Sequence, residues 1–195
     1  MDRSSRRRLS RLALGTAISL SLGVAPAFAA LTWNEAGDAG QTLPTANVPT
    51  GGGNLPQING SIGSSGDADL YKVCLGGSAF SADTNNMGTT LGDSQLFLFN
   101  AKGFGVIFND DTVGLKSHID VAAPTPGTYY IGVSGFNTDP VDSKALPIFP
   151  NTFDGQHGPI AGRGFLANWS GASGIGDYNI TLTGTNTVNG LGGCP

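Results

Sequence analysis

Short runs of β-branched and aromatic residues, separated by Gly, Asn, Asp and Pro, follow one another through most of this chain. The clearest of them is TYYIGV at Thr128–Val133. Similar runs lie at 58–62, 70–75, 94–99, 105–108, 117–121 and 177–182. After residue 30, no stretch of eleven or more residues has the apolar period of 3.6 that an amphipathic helix requires. We therefore predict an all-β sandwich or barrel with frequent turns.

Two of these runs also indicate where their strands lie. In LYKVCL, at 70–75, Tyr71, Val73 and Leu75 share one face of an alternating strand. In SQLFLF, at 94–99, both faces are apolar. Such a strand is expected in the middle of a sheet that is covered on both sides.

Residues 1–29 have the pattern of a secretory signal peptide. Five arginines precede an uncharged apolar stretch, and Ala27-Phe28-Ala29 supplies a small-x-small cleavage pattern. The apolar stretch is short for a membrane span. We therefore predict a secreted protein, periplasmic or extracellular, with no membrane span in the mature chain. Ser5–Ser10 also resembles a twin-arginine signal, which leaves the export route open.

Removal of the signal peptide makes the chain strongly acidic. Five basic residues then face thirteen acidic ones, a formal charge near −8 instead of the −4 of the full chain. Nucleic-acid binding needs clustered positive charge to displace counterions from phosphates, so we do not expect a nucleic-acid partner. The remaining 166 residues are enough for one domain with a sizeable core.

The organisation that we predict has four parts. They are a signal peptide at 1–29, a lead-in segment rich in Gly, Pro and Thr at 30–54, a β-sandwich at 55–185, and a flexible tail at 186–195. Within the sandwich, residues 137–176 form an insertion rich in Pro and Gly, which we expect to be a long loop. Its aromatic residues form either a platform for a ligand or the packing between this loop and the sandwich. They are Phe149, Phe153, Phe165 and Trp169.

Cys74 and Cys194 are the only cysteines of the chain. In an oxidising compartment, their natural arrangement is a disulfide that ties the tail to an early strand. The alternative is a buried thiol at Cys74 and an unpaired Cys194 in the tail.

The order of several motifs resembles the bacterial pre-peptidase C-terminal (PPC) domain. These motifs are INGSIGSSGDADLYKV, DSQLFLFNAKG, NDD, PTPGTYYIGVSG and GDYNITLTG, which together span about residues 55–185. The resemblance implies a jelly-roll-like antiparallel β-sandwich with an accessory binding or structural role and no catalysis. The expected partner is an extracellular polymer or protein; the sequence specifies neither this ligand nor the oligomeric state.

Asp67 and Asp69 stand one residue apart at the start of the alternating run. Residues two apart in a strand point the same way, so both carboxylates can face one calcium ion. The resemblance to collagen-binding PPC domains implies that Glu35 and Asp38 of the lead-in complete such a site. In the alternative interpretation, the two aspartates only cap a turn by accepting backbone N–H groups. Asp110 and Asp111, near Asp93, are a second acidic cluster, which is either a cation site or a solvated turn.

An extracellular hydrolase with its site in the 137–176 insertion is the alternative function. His118 and His157 are the only imidazole bases, and no G-x-S-x-G or H-E-x-x-H motif is present. A hydrolase would need one of these histidines within hydrogen-bond reach of a serine or a carboxylate. We expect a protein that is not an enzyme.

Overall fold

The computed structural model describes residues 31–84, 89–188 and Cys194. The predicted signal peptide lies outside these residues, as does most of the predicted tail. The described strands are β1 Thr32–Asn34, β2 Gln57–Ile62, β3 Ala68–Leu75, β4 Phe80–Asp83, β5 Ser94–Asn100, β6 Gly105–Asn109, β7 His118–Val121, β8 Gly127–Gly135, β9 Thr138–Val141, β10 Gln156–His157, β11 Asn168–Gly171, β12 Gly176–Thr183 and β13 Thr185–Asn186. In this part of the chain there is no helix of the length and apolarity that crossing a bilayer requires.

The strands form two main sheets that pack as a β-sandwich. One sheet has the order β1-β2-β12-β4-β7 and the other β10-β6-β5-β8-β3-β13. Neighbouring strands are antiparallel except for β1 and β2, which are parallel. The prediction of an all-β sandwich is confirmed.

Alternation along the strands produces the core between the two sheets. Tyr71, Val73 and Leu75 of β3 point into it, as the alternating run predicted. From the opposite sheet, Tyr178 and Ile180 of β12 pack into the same core. Because each strand contributes every second side chain, two half-apolar sheets bury a continuous apolar layer.

Strand β5 is a central strand covered on both faces. It lies between β6 and β8. Leu96 and Leu98 belong to the core between the sheets, whereas Phe97 and Phe99 belong to a second apolar cluster on the outer face. This arrangement agrees with the apolar character of both faces of the run.

The insertion at 137–176 covers that outer face and contains strands β9, β10 and β11. The pair β9–β11 forms a separate two-stranded sheet. Phe149 and Trp169 are buried in the outer cluster and contact Phe97, with ring centroids 5.7 and 5.2 Å away. The insertion therefore differs from a long loop, because its own apolar residues attach it to the sheet.

The lead-in segment is held by both sheets. Its strand β1 extends the first sheet beside β2, and Asn47 bridges to Tyr71 of the second sheet. Leu43 and Ala46 pack against the outer cluster. Glu35, directly after β1, is thereby held beside β2, where its backbone N–H donates to the Asn59 carbonyl at 2.8 Å.

Cys74 and Cys194 are joined by a disulfide in the structure, with their Cα atoms 5.3 Å apart. Cys74 lies near the end of β3, beside the edge strand β13, so the bond connects the second sheet to residue 194. In the loop-entropy description, closing a loop of 120 residues stabilises the folded state by about 5 kcal/mol.

Candidate functional site

The side chain of Asp67 holds the turn before β3. Its Oδ2 accepts a hydrogen bond from the backbone N–H of Gly63 at 2.9 Å, and its Oδ1 accepts one from Nε2 of Gln41 at 3.2 Å. These contacts are the turn-capping role that one of the two interpretations assigned to this residue.

Asp69 has a different environment because it lies on β3 itself. It shares the inward face with Tyr71 and is fully buried, with 0% exposure. Its Oδ2 accepts a hydrogen bond of 2.6 Å from the hydroxyl of Tyr178, whose oxygen is 2.6 Å from that of Tyr71. Its Oδ1 is buried, and among residues 31–84 and 89–188 it has no hydrogen-bond partner. A buried carboxylate oxygen without a donor is costly, and it marks a position where a ligand would be favourable.

The lead-in brings two more acids to this position. Carboxylate oxygens of Glu35, Asp38 and Asp69 all lie within 4.8 Å of one another. Glu35 is fixed there because its Oε1 accepts the N–H of Ala39 at 2.7 Å and its Oε2 accepts that of Ser61 at 2.9 Å. Of the four residues predicted from the sequence, the structure therefore groups three, and Asp67 does not belong to this group.

Burial and neighbouring charges both act on Asp69. Burial is the largest cause that raises its pKa to about 8, and the hydrogen bond from Tyr178 opposes the rise. The charges of Glu35, Asp67 and Asp38 add to it in that order. Burial also raises the pKa of Glu35, against the hydrogen bonds from Ala39 and Ser61. A bound cation would offset the repulsion between these carboxylates, which water solvates only partly.

The two tyrosine hydroxyls were not identified by sequence reasoning. Tyr71 could have been connected to Asp69 by the same alternation that connects residues two apart, since both lie on one face of β3. The contact with Tyr178 comes from the opposite sheet, and no local pattern indicates it.

The second acidic cluster is also brought together. Carboxylate oxygens of Asp93, Asp110 and Asp111 lie within 4.8 Å of one another. Asp110 is only 1% exposed, which disagrees with the interpretation of this segment as a solvated turn.

The two histidines have ordinary structural partners. His118 and Asp83 are opposite each other on β7 and β4, and Nδ1 of His118 is 3.1 Å from Oδ2 of Asp83. Nε2 of His157 is 2.8 Å from the backbone carbonyl of Asp154 and donates to it in the matching tautomer. Within residues 31–84 and 89–188, no serine, threonine or cysteine side chain is hydrogen-bonded to either ring.

The four aromatic residues of the insertion divide into two pairs. Phe149 and Trp169 are buried, whereas Phe153 and Phe165 are 55% and 49% exposed. Each exposed ring contacts a phenylalanine that the sequence did not single out. Phe153 lies 5.9 Å from Phe136, and Phe165 lies 6.2 Å from Phe104, measured between ring centroids. Packing thus accounts for two of the four, and two remain on the surface.

Comparison with models of known protein families and with curated proteins finds no match to this chain.

Proposed function

We propose that this protein is a secreted, non-catalytic β-sandwich of the PPC type that acts as an extracellular binding or structural module. The support from the sequence is the signal-peptide pattern and the order of five PPC-like motifs. The all-β sandwich is compatible with that family's expected fold. The acidic group of Glu35, Asp38 and Asp69 at the start of β3 supports a module with a ligand site over a sandwich that has none.

The observation that carries the calcium part of the proposal is the unpartnered Oδ1 of Asp69 beside Glu35 and Asp38. The donor set fits calcium, because it consists only of carboxylate oxygens, and calcium accepts such oxygens in variable geometry. Asp69, Glu35 and Asp38 would hold the ion, while Asp67 keeps the adjoining turn in place. A bound ion would neutralise the acidic group and tie the lead-in to the sandwich.

A non-catalytic role is supported by the surroundings of the histidines. His118 pairs with a carboxylate across two strands, but a hydrolase also needs a nucleophile at the other ring nitrogen. His157 is bonded to a backbone carbonyl, which orients a ring but activates no nucleophile.

The calcium proposal is tested by thermal unfolding of the secreted chain in calcium and in EGTA. We expect calcium to raise the midpoint of the wild type, and Asp69→Asn to reduce that rise. Asp67→Asn is the matched control, because it removes a nearby charge but keeps an oxygen that can accept the Gly63 N–H. An unchanged wild-type midpoint, or an equal rise in Asp69→Asn and wild type, would contradict the calcium site.

The binding role is tested with immobilised collagen, polysaccharides and cell-wall fragments. We expect the chain to be retained on one of these polymers without releasing fragments from it. Release of fragments that is lost in His118→Ala or His157→Ala would instead establish a hydrolase.

A further inference from the structure

Asp93, Asp110 and Asp111 approach one another from two ends of one hairpin. Asp93 directly precedes β5, and the other two directly follow β6, the antiparallel partner of β5. The start of β5 and the end of β6 are neighbours in such a pair. The hairpin therefore concentrates three carboxylates at its open end, within 4.8 Å of one another.

These carboxylates have no donors in the described part of the chain. One oxygen of each, Oδ1, is buried without a hydrogen-bond partner. Asp110 is the strongest indication of a bound ligand among the three, because this residue is only 1% exposed. Buried carboxylates in folded proteins ordinarily accept several hydrogen bonds or face a cation. Three such oxygens at one place are not explained by the contacts among the described residues.

The surrounding charges increase the excess of negative potential. Burial, followed by the charges of Asp111, Asp93 and Asp139, raises the pKa of Asp110 to about 7. Asp154 acts on Asp111 in the same direction, after burial. Lys116 is a nearby cation that lowers the pKa of Asp93. Its ammonium group donates to the carbonyl of Leu91, and its hydrogen bond to the Thr89 hydroxyl is 3.4 Å long.

We propose that Asp93, Asp110 and Asp111 form a binding site for a divalent cation of the calcium class. The ligand atoms are all oxygens, which disfavours zinc, since zinc prefers nitrogen and sulfur. Calcium accepts several carboxylate oxygens in variable geometry, whereas magnesium requires a near-ideal octahedron and keeps several waters, so calcium suits three carboxylates better than magnesium does. This site shares no residue with the group formed by Glu35, Asp38 and Asp69.

The position of the site connects the hairpin to the insertion. The backbone N–H of Asp111 donates to the carbonyl of Phe153 at 2.9 Å, and Nδ2 of Asn109 donates to that of Gly155 at 2.7 Å. On the other side, the N–H of Phe136 donates to the carbonyl of Asp93 at 3.2 Å. The exposed pair Phe136–Phe153 therefore flanks the acidic cluster. A cation here would hold together the hairpin end and the segment that carries this pair.

Calorimetric titration of the secreted chain with calcium chloride tests the inference by stoichiometry. We expect two calcium ions per chain in the wild type, and one in Asp110→Asn and in Asp69→Asn alike. The affinity lost at the altered site should be at least tenfold. Asp120→Asn removes an exposed carboxylate outside both groups, and it should retain the wild-type stoichiometry.

The possible outcomes distinguish this site from the group formed by Glu35, Asp38 and Asp69. One ion in the wild type that is lost in Asp110→Asn but kept in Asp69→Asn supports the hairpin site and removes the other. The hairpin site is overturned if Asp110→Asn binds calcium with wild-type stoichiometry and affinity, or if the wild type binds none at millimolar calcium. Urea unfolding in EDTA establishes whether Asp110→Asn is folded. If it is not, Asp93→Asn, whose side chain is partly exposed, is judged by the same criteria.

Discussion

Asp69 shows how one residue position can combine a structural and a ligand-binding requirement. Its Oδ2 accepts a hydrogen bond from the hydroxyl of Tyr178, which is itself hydrogen-bonded to the hydroxyl of Tyr71. Its Oδ1 has no donor among the described residues. The hydroxyl chain orients the carboxylate towards Glu35 and Asp38. A fully hydrogen-bonded carboxylate would stabilise the fold more but would have no free oxygen for a cation.

Gly60 has no side chain and so leaves space for the hydrogen-bonded hydroxyl groups of Tyr71 and Tyr178. We predict that a larger residue at this position destabilises the fold. Gly60 lies opposite Tyr178 in the pairing of β2 with β12. A Cβ at this position would be 2.6 Å from the Tyr71 hydroxyl oxygen and in closer collision with that of Tyr178. We expect Gly60→Ala to lower the free energy of unfolding by about 1–3 kcal/mol, the usual cost of overpacking a core. Urea unfolding in EDTA measures it.

Gly63→Ala is the matched control for Gly60→Ala. A Cβ at Gly63 would meet Oδ2 of Asp67 at an ordinary 3.8 Å. Its effect should stay within about 0.5 kcal/mol, as for most changes without a packing conflict. Equal effects of the two substitutions would show that the tyrosine hydroxyls do not occupy the space above Gly60.

At the scale of elements, the insertion behaves as a second layer on the sheet and not as an appendage. The phenylalanines on the outer face of β5 would be exposed without it, and Phe149 and Trp169 supply their partners. The stacking of Phe97 on Phe108, with centroids 5.0 Å apart, continues to Phe149 at 5.6 Å from Phe108. We therefore expect the packing of the insertion on the sheet to contribute to the free energy of unfolding of the whole molecule.

Phe149→Ala tests that expectation. Phe149 is 4% exposed and packs on Phe97, Phe99 and Phe108. Truncation leaves a cavity, and we expect a loss of about 3–5 kcal/mol in the free energy of unfolding by urea. Phe153→Ala, from the same insertion but 55% exposed, should cost less than about 0.5 kcal/mol. A small loss for both would mean that the insertion unfolds separately from the sandwich.

On the scale of the whole molecule, the acidic groups have a common consequence for pH dependence. Burial is the leading cause of a raised pKa at several carboxylates, and Asp69 at about 8 and Asp110 at about 7 are the largest cases. The others are Glu35, Asp93, Asp111 and Asp139. In the unfolded chain these groups titrate near their usual value of about 4.

The folded state therefore holds more protons than the unfolded state between about pH 4 and 8, and its stability should fall as the pH rises through that range. One such group contributes a slope of at most about 1.4 kcal/mol per pH unit. We predict that urea midpoints measured in EDTA are lower at pH 8 than at pH 5.5. The fall should be shallower in Asp69→Asn and should persist in Asp120→Asn. Midpoints that rise over this range would contradict the prediction.

The strand pattern and the two-sided character of β5 could be read directly from the sequence. Each depends on alternation along one segment, because a strand sends successive side chains to opposite faces. The same local rule predicted that Asp67 and Asp69 point the same way and can both face one ion. It failed to separate Asp67 from Asp69, since β3 begins at Ala68, between them, and Asp67 lies outside the strand.

The tertiary structure alone decided which distant groups meet. Alternation says that Asp69 points inward, but only the packing of one sheet on the other places the Tyr178 hydroxyl at its Oδ2. Only the path of the lead-in brings Glu35 and Asp38 beside it. The open end of a hairpin likewise gathers Asp93 with Asp110 and Asp111, and the described residues leave one buried oxygen of each without a donor. The sequence by itself determined the strands and their faces, because those depend on neighbours along the chain. The acidic groups depend on contacts across tens of residues, which no local periodicity records.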